Sequence, residues 1–106
     1  EAPKAPSVAK PYRIKGDQSF GITDDDYPAS ASRNNEEGVT SIGFDVTTEG
    51  RMANCHVTRS SGYSDLDSLT CRLATQRARF YPAQDDAGKP MQTTGQRTIR
   101  WQIPKD

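Results

Sequence analysis

The sequence predicts a small α+β domain, a three-stranded antiparallel sheet with two helices packed on one face. Three observations carry this. Residues 39–47 and 52–60 alternate apolar and polar side chains on either side of Glu49-Gly50, the pattern of a half-buried hairpin. Residues 64–79 place leucines at helical spacing, and residues 96–103 alternate again before Pro104. The predicted order is helix, strand, strand, helix, strand. A sheet with both helices on one face buries every apolar stripe.

The first helix is predicted over residues 29–33. Proline restricts the residue before it, so Tyr27 leaves the helical region and Pro28 opens the helix as its first residue, with Asn34 and Asn35 ending it. In the first strand Ile42, Phe44 and Val46 share a face, opposite Ser41, Gly43 and Asp45. Gly50 supplies the positive φ of the turn. The return strand puts Ala53, Cys55 and Val57 on one face and Asn54, His56 and Thr58 on the other. Ser60-Ser61-Gly62 breaks it.

Ser64 is expected as the N-cap of the second helix, with Asp67 completing a capping box and Asp65 favouring the dipole. Leu66, Leu69, Leu73 and Phe80 form its stripe, flanked by Cys71, Ala74 and Ala78, and Pro82 stops it. Gly88-Lys89-Pro90 is a loop. On the last strand Ile99, Trp101 and Ile103 face inward, and Thr98, Arg100 and Gln102 outward.

At 106 residues the chain forms one domain, and its core is small. Hydrophobic residues make up only 32%, and the deficit is concentrated at the start. Residues 1–23 therefore read as an extended Pro- and Lys-bearing linker or tail, and residues 24–106 as the folded domain. Pro3, Pro6 and Pro11 interleaved with Lys4, Lys10 and Lys15 fit either a short terminus or the end of a longer spacer. No stretch approaches the ~20 apolar residues of a membrane span. The chain starts with Glu, so it is expected to be a mature or excised piece, with any anchor lying upstream.

The 14 basic and 14 acidic residues cancel, which argues against nucleic-acid binding. Arg72, Arg77 and Arg79 are expected on a solvated helix face. Asp24, Asp25 and Asp26 lack the spacing of a calcium loop and read as a solvated acidic turn. Cys55 and Cys71, on core-facing surfaces of strand and helix, are expected to form a structural disulfide, which points to an oxidising compartment. Strand alternation turns His56 away from Cys55, so neither thiol catalysis nor a zinc site built on Cys55, His56 and Cys71 is favoured. No metal, cofactor or catalytic residue is expected. Trp101 is read as core, and Tyr27 as a packing residue at the first helix.

Tyr27-Pro28-Ala29, Glu37-Gly38-Val39, Phe44-Asp45-Val46, Glu49-Gly50-Arg51, Ser60-Ser61-Gly62, Leu66-Asp67, Arg79-Phe80-Tyr81-Pro82-Ala83, Gly88-Lys89-Pro90 and the closing strand with Trp101 stand in family order. Together they resemble the C-terminal periplasmic domain of TonB-type energy transducers over residues 24–103. Two departures are visible. Asp24, Asp25 and Asp26 replace a Gln- and Pro-containing lead-in, and the cysteine pair is not general in the family.

The resemblance implies a non-enzymatic, mechanical role. Such a domain lies in the periplasm, anchored to the inner membrane through an N-terminal segment and coupled to a proton-channel motor complex. It binds the TonB box of outer-membrane transporters by strand addition, for uptake of cargo such as iron chelates (siderophores). The last strand is the expected free edge, because the first two are consumed by their hairpin. The partner is placed along Arg97, Thr98, Ile99, Arg100, Trp101 and Gln102, with Asp26, Tyr27 and Pro28 flanking one end. An unpaired edge also permits a strand-exchanged homodimer. The alternative reading is a TonB-like interaction module of another envelope protein, without energy transduction.

Overall fold

The computed structural model describes residues 7–104. Seven strands occur among these residues: β1 (Arg13–Ile14), β2 (Gly38–Val46), β3 (Met52–Arg59), β4 (Phe80–Tyr81), β5 (Ala83–Gln84), β6 (Pro90–Met91) and β7 (Thr93–Trp101). Helices α1 (Ala29–Arg33) and α2 (Ser64–Arg77) and a 3-10 turn at Asp24–Asp26 complete the chain. The main sheet has the order β3-β2-β7, all antiparallel. Two short ribbons, β1-β4 and β5-β6, are additions that the sequence did not announce, since two-residue strands carry no periodicity.

The face of β2 bearing Thr40, Ile42, Phe44 and Val46 is fully buried. It packs against Leu66, Leu69, Leu73 and Ala74 of α2 and Ala31 of α1, in one apolar cluster with Ile99 and Trp101 of β7. Helix α2 ends at Arg77 with Ala78 extended, and α1 begins after Pro28 in the capping position rather than as its first residue. Asn35, at φ 56°, supplies the left-handed exit from α1 that asparagine tolerates.

The return strand corrects the sequence expectation. Pairing runs Val46↔Met52 and Asp45↔Ala53, then Gly43↔His56 and Ile42↔Val57, then Ser41↔Arg59. Each shift adds one residue on β3, a pair of bulges. Asn54 sits at φ 52° in the first, its amide donating to Asp45 Oδ2 at 2.7 Å. The core residue at the strand start is therefore Met52, and Ala53 faces out beside Asp45. A bulge breaks the period of two, which is why alternation alone misassigned Ala53.

The segment before Asp24 also differs from an extended tail over its described part. Phe20 and Ile22 are buried. Phe20 meets Phe44 and Phe80 edge-on at 6.0 and 5.8 Å, and Tyr12 meets Phe80 at 5.5 Å. The two aromatic rings of the arm, Tyr12 and Phe20, are reason enough to recruit it in a lean chain, since each adds apolar area that a small core lacks. The proline and lysine pattern at Pro3, Lys4 and Pro6 lies outside the described residues. Gly95 permits the docking, because a Cβ there would stand 2.5 Å from the Tyr12 hydroxyl.

Cys55 and Cys71 are joined in a disulfide with Cα atoms 5.6 Å apart, linking β3 to α2 across 16 positions. Closing a loop of that length restricts the unfolded chain by about 3 kcal/mol. Reduction, or Cys55→Ser with Cys71→Ser, is expected to lower unfolding stability by roughly that amount. Urea denaturation with and without reductant checks it, and coincident curves would refute a stabilising role.

Candidate functional site

The site grows from a polar knot at the start of α2. The Asp67 carboxylate is nearly buried and accepts hydrogen bonds from Thr40 Oγ1 at 2.9 Å, the Ser61 amide at 2.9 Å, Ser61 Oγ at 2.8 Å and Ser60 Oγ. Burial alone would raise its pKa, but these donors outweigh burial and hold it below the ordinary 3.8. Asp67 therefore does not serve the capping box expected of it. The N-cap is Tyr63, with no side-chain cap, and Ser64 is the first residue of the helix. One turn on, Thr70 Oγ1 donates to the Leu66 carbonyl and accepts from Trp101 Nε1, both at 2.7 Å.

Trp101 is thereby fixed at the end of β7, and the Tyr27 ring meets it edge-on at 5.4 Å. The Tyr27 hydroxyl donates to the Glu36 carbonyl. Its pKa is raised, first by burial and then by the carboxylates of Glu37, Glu36, Asp24 and Asp65. Glu36 is itself pushed up by partial burial and by Asp65. Beside this corner lies a shallow depression of about 320 Å³ lined by Glu37, Gly38, Val39, Arg100, Trp101 and Gln102.

The structure brings Tyr27 and Trp101 together as one corner. Asp26, expected in a solvated turn, instead forms a two-pronged ion pair with Arg77 at 2.8 and 2.9 Å, and its Oδ2 accepts from the Thr23 amide. The Arg77 hydrogen bonds, then that amide, lower its pKa. Arg77 is exposed, as expected of a solvated helix face, and also clamps the acidic turn, donating to the Gly21 carbonyl as well. No sequence periodicity connects positions 26 and 77.

Along β7, Ile99 and Trp101 are buried while Thr94, Gln96, Thr98 and Arg100 are exposed. Arg97 lies on the inner side and donates to the Gln18 carbonyl of the arm. The strand starts three residues earlier than expected and stops at Trp101, so Gln102 lies just beyond it. There the Ile103 amide donates to Glu37 Oε2 at 2.8 Å.

Nine consecutive residues of β7 pair with β2 without interruption. Among the described residues no strand pairs with its other side. The hairpin does not consume both of its strands, however. Since β2 is central, β3 is an edge as well, but a bulged one, and bulges blunt an edge. His56 covers Gly43 on the outer face, where a Cβ would lie 2.8 Å from Nε2.

These features define a small α+β domain with one regular and one bulged edge strand. The profile of the Gram-negative bacterial TonB protein C-terminal family matches residues 24–103. The solution NMR structure of the Pseudomonas aeruginosa TonB C-terminal domain is similar, with TM-score 0.62 and 25% identity over 76% of this chain and 79% of that one. No curated protein matches significantly. The chain belongs to the TonB C-terminal domain family and is a TonB-type periplasmic domain.

The depressed pKa values of Asp67 and Asp26 fix an acid dependence. Their contribution to stability is fully present above about pH 4, the unfolded carboxylate range, and drains away as pH falls through the lower native values. Asp67→Ala is expected to cost on the order of 3 kcal/mol at neutral pH, because several donors lose their acceptor. Asp67→Asn should flatten the acid limb. Denaturation measured between about pH 2 and 7 tests both, and an unchanged limb would sink the assignment.

Proposed function

We propose that this domain binds the TonB box of outer-membrane transporters by adding it as a strand to β7, and so transmits inner-membrane proton-motive energy to uptake of cargo such as siderophore-bound iron. The observation that carries the reading is the contrast between the two edges. β7 runs nine residues in uninterrupted register with β2, whereas β3 is broken twice. Added strands need an even row of backbone donors and acceptors.

On this reading Ile99 and Trp101, buried inward, serve through their backbone, and Thr98, Arg100 and Gln102 offer side chains. Tyr27 and Pro28 border the Trp101 end. Asp26 acts by position, since Arg77 already holds its carboxylate. Division of the chain into a spacer over 1–23 and a domain over 24–106 belongs to the same proposal, with the arm's aromatic residues docking the spacer's end. An upstream anchor would join the motor complex. The same edge would support a strand-exchanged homodimer at high concentration.

An amide-shift titration of the oxidised domain with TonB-box peptides tests this. Shifts are expected at positions 97–102 and around Tyr27, with the outer edge of β3 unmoved. Silence across a broad peptide panel, or shifts confined to β3, would overturn it and favour a module that does not transduce energy.

A further inference from the structure

The net charge of zero conceals a segregated surface. No acidic residue occurs between Ala2 and Gly16, a stretch holding Lys4, Lys10, Arg13 and Lys15. The structure places the last three on one ribbon. Strand β1 pairs with β4 in the register Arg13↔Tyr81. Residues two apart on a strand share a face, and the Arg13 guanidinium and Lys15 ammonium lie 4.7 and 4.6 Å from the Tyr81 ring centroid. Two like charges are thus held beside one ring. Arg79 adjoins them, the Lys15 amide donating to its carbonyl at 2.8 Å, and Lys10 stands near Arg13 and Tyr81 around a notch of about 170 Å³.

Among the described residues none of Lys10, Arg13, Lys15 and Arg79 has a carboxylate partner. Among the described residues the ion pair present is Arg77–Asp26. In the neighbouring turns Asp17 Oδ1 accepts from Ser19 and Asp85 Oδ1 from the amides of Ala87 and Lys89, while the exposed Asp86 and Glu49 pair with no cation of the ribbon. Arg79 donates only to carbonyls at the end of α2. The Tyr81 ring that these charges flank is itself exposed, at 47%.

We propose that the basic ribbon of Lys10, Arg13, Lys15, Arg79 and Tyr81 seats the domain on an anionic phospholipid surface. Charge complementarity chooses the class. The notch is well below the roughly 300 Å³ of an ordinary ligand pocket but suits a single phosphodiester headgroup. The remaining cations lie side by side, which suits a diffuse array of phosphates and demands no register. An exposed tyrosine among lysines and arginines matches the bilayer interface. The acids around Tyr27 adjoin Gly38 and Trp101, whereas β4 meets the opposite end of the sheet, where the Phe80 amide donates to the Gly50 carbonyl. Seating on an anionic surface therefore leaves the Tyr27–Trp101 corner turned away. The inference does not depend on strand addition to β7.

Sedimentation of the oxidised chain with vesicles of phosphatidylglycerol and phosphatidylethanolamine, against pure phosphatidylcholine, tests it. Binding to the anionic vesicles alone is expected, weakening as salt rises from about 50 to about 200 mM. With each cation worth roughly five-fold, the triple change Arg13→Gln, Lys15→Gln, Arg79→Gln is expected to lose about 100-fold. The equally charged control Arg33→Gln, Arg59→Gln, Arg72→Gln should lose far less. Lys10→Glu, outside the ring stack, should lose about tenfold or more even if the triple change frees the arm. Equal losses in both triples, no sedimentation, or tighter binding to polyglutamate than to vesicles would each overturn the proposal, the last pointing to an acidic peptide.

Discussion

A buried carboxylate on α2 decides where everything else sits. An unpaired charge at Asp67 would be costly to bury, and here Thr40, Ser60 and Ser61 satisfy it together. Positions 70 and 71 lie one helical turn beyond position 67. Asp67 ties α2 to β2 through Thr40, Thr70 ties it to β7 through Trp101, and Cys71 ties it to β3 through Cys55. Three neighbouring residues of one helix thus hold all three strands of the sheet, one by a charged hydrogen bond, one by a neutral bond and one covalently. Each tie is specific in geometry where apolar packing alone would tolerate sliding.

The order of these ties explains the corner at the end of β7. Trp101 could rotate within an apolar pocket, but its indole N–H has a fixed acceptor at Thr70, which is itself anchored on the Leu66 carbonyl. A held Trp101 gives Tyr27 a defined ring edge to meet, and the Tyr27 hydroxyl fixes the chain where α1 hands over to β2. The segment before β2 is therefore positioned from the helix, through β7, without a direct bond between α2 and Tyr27. Arg77 adds a second hold on the preceding turn from the far end of the same helix.

What the sequence revealed followed from periodicity. Phe44 and Val46 on β2, the leucines of α2, and Ile99 and Trp101 on β7 repeat at the spacing their elements impose, and all are buried as expected. The disulfide was legible because both cysteines fell on core-facing stripes. What escaped was non-periodic. A bulge at Asn54 cannot be read from alternation, because it is the interruption of alternation. The capping box at Ser64 and Asp67 failed because the same sequence pattern admits two partners for the aspartate, and Ser60-Ser61 outbid the helix end by joining Thr40 in a buried site. Residues 26 and 77, and residues 13, 15 and 81, meet only through tertiary structure.

The two edges of the sheet are also held differently, and the difference follows from their ladders. β7 makes an unbroken set of pairings with β2 and needs only Trp101 as an additional link to the helix. β3 loses regular pairing at two bulges and exposes Val57 at 39%, so hydrogen bonds and burial alone would leave it the weaker edge. The covalent link falls on this strand, at Cys55, directly after the bulged Asn54. The cross-link thus compensates locally for what the bulges take from the ladder. β7 remains continuous and requires no such link, so the regular edge keeps its backbone geometry without one.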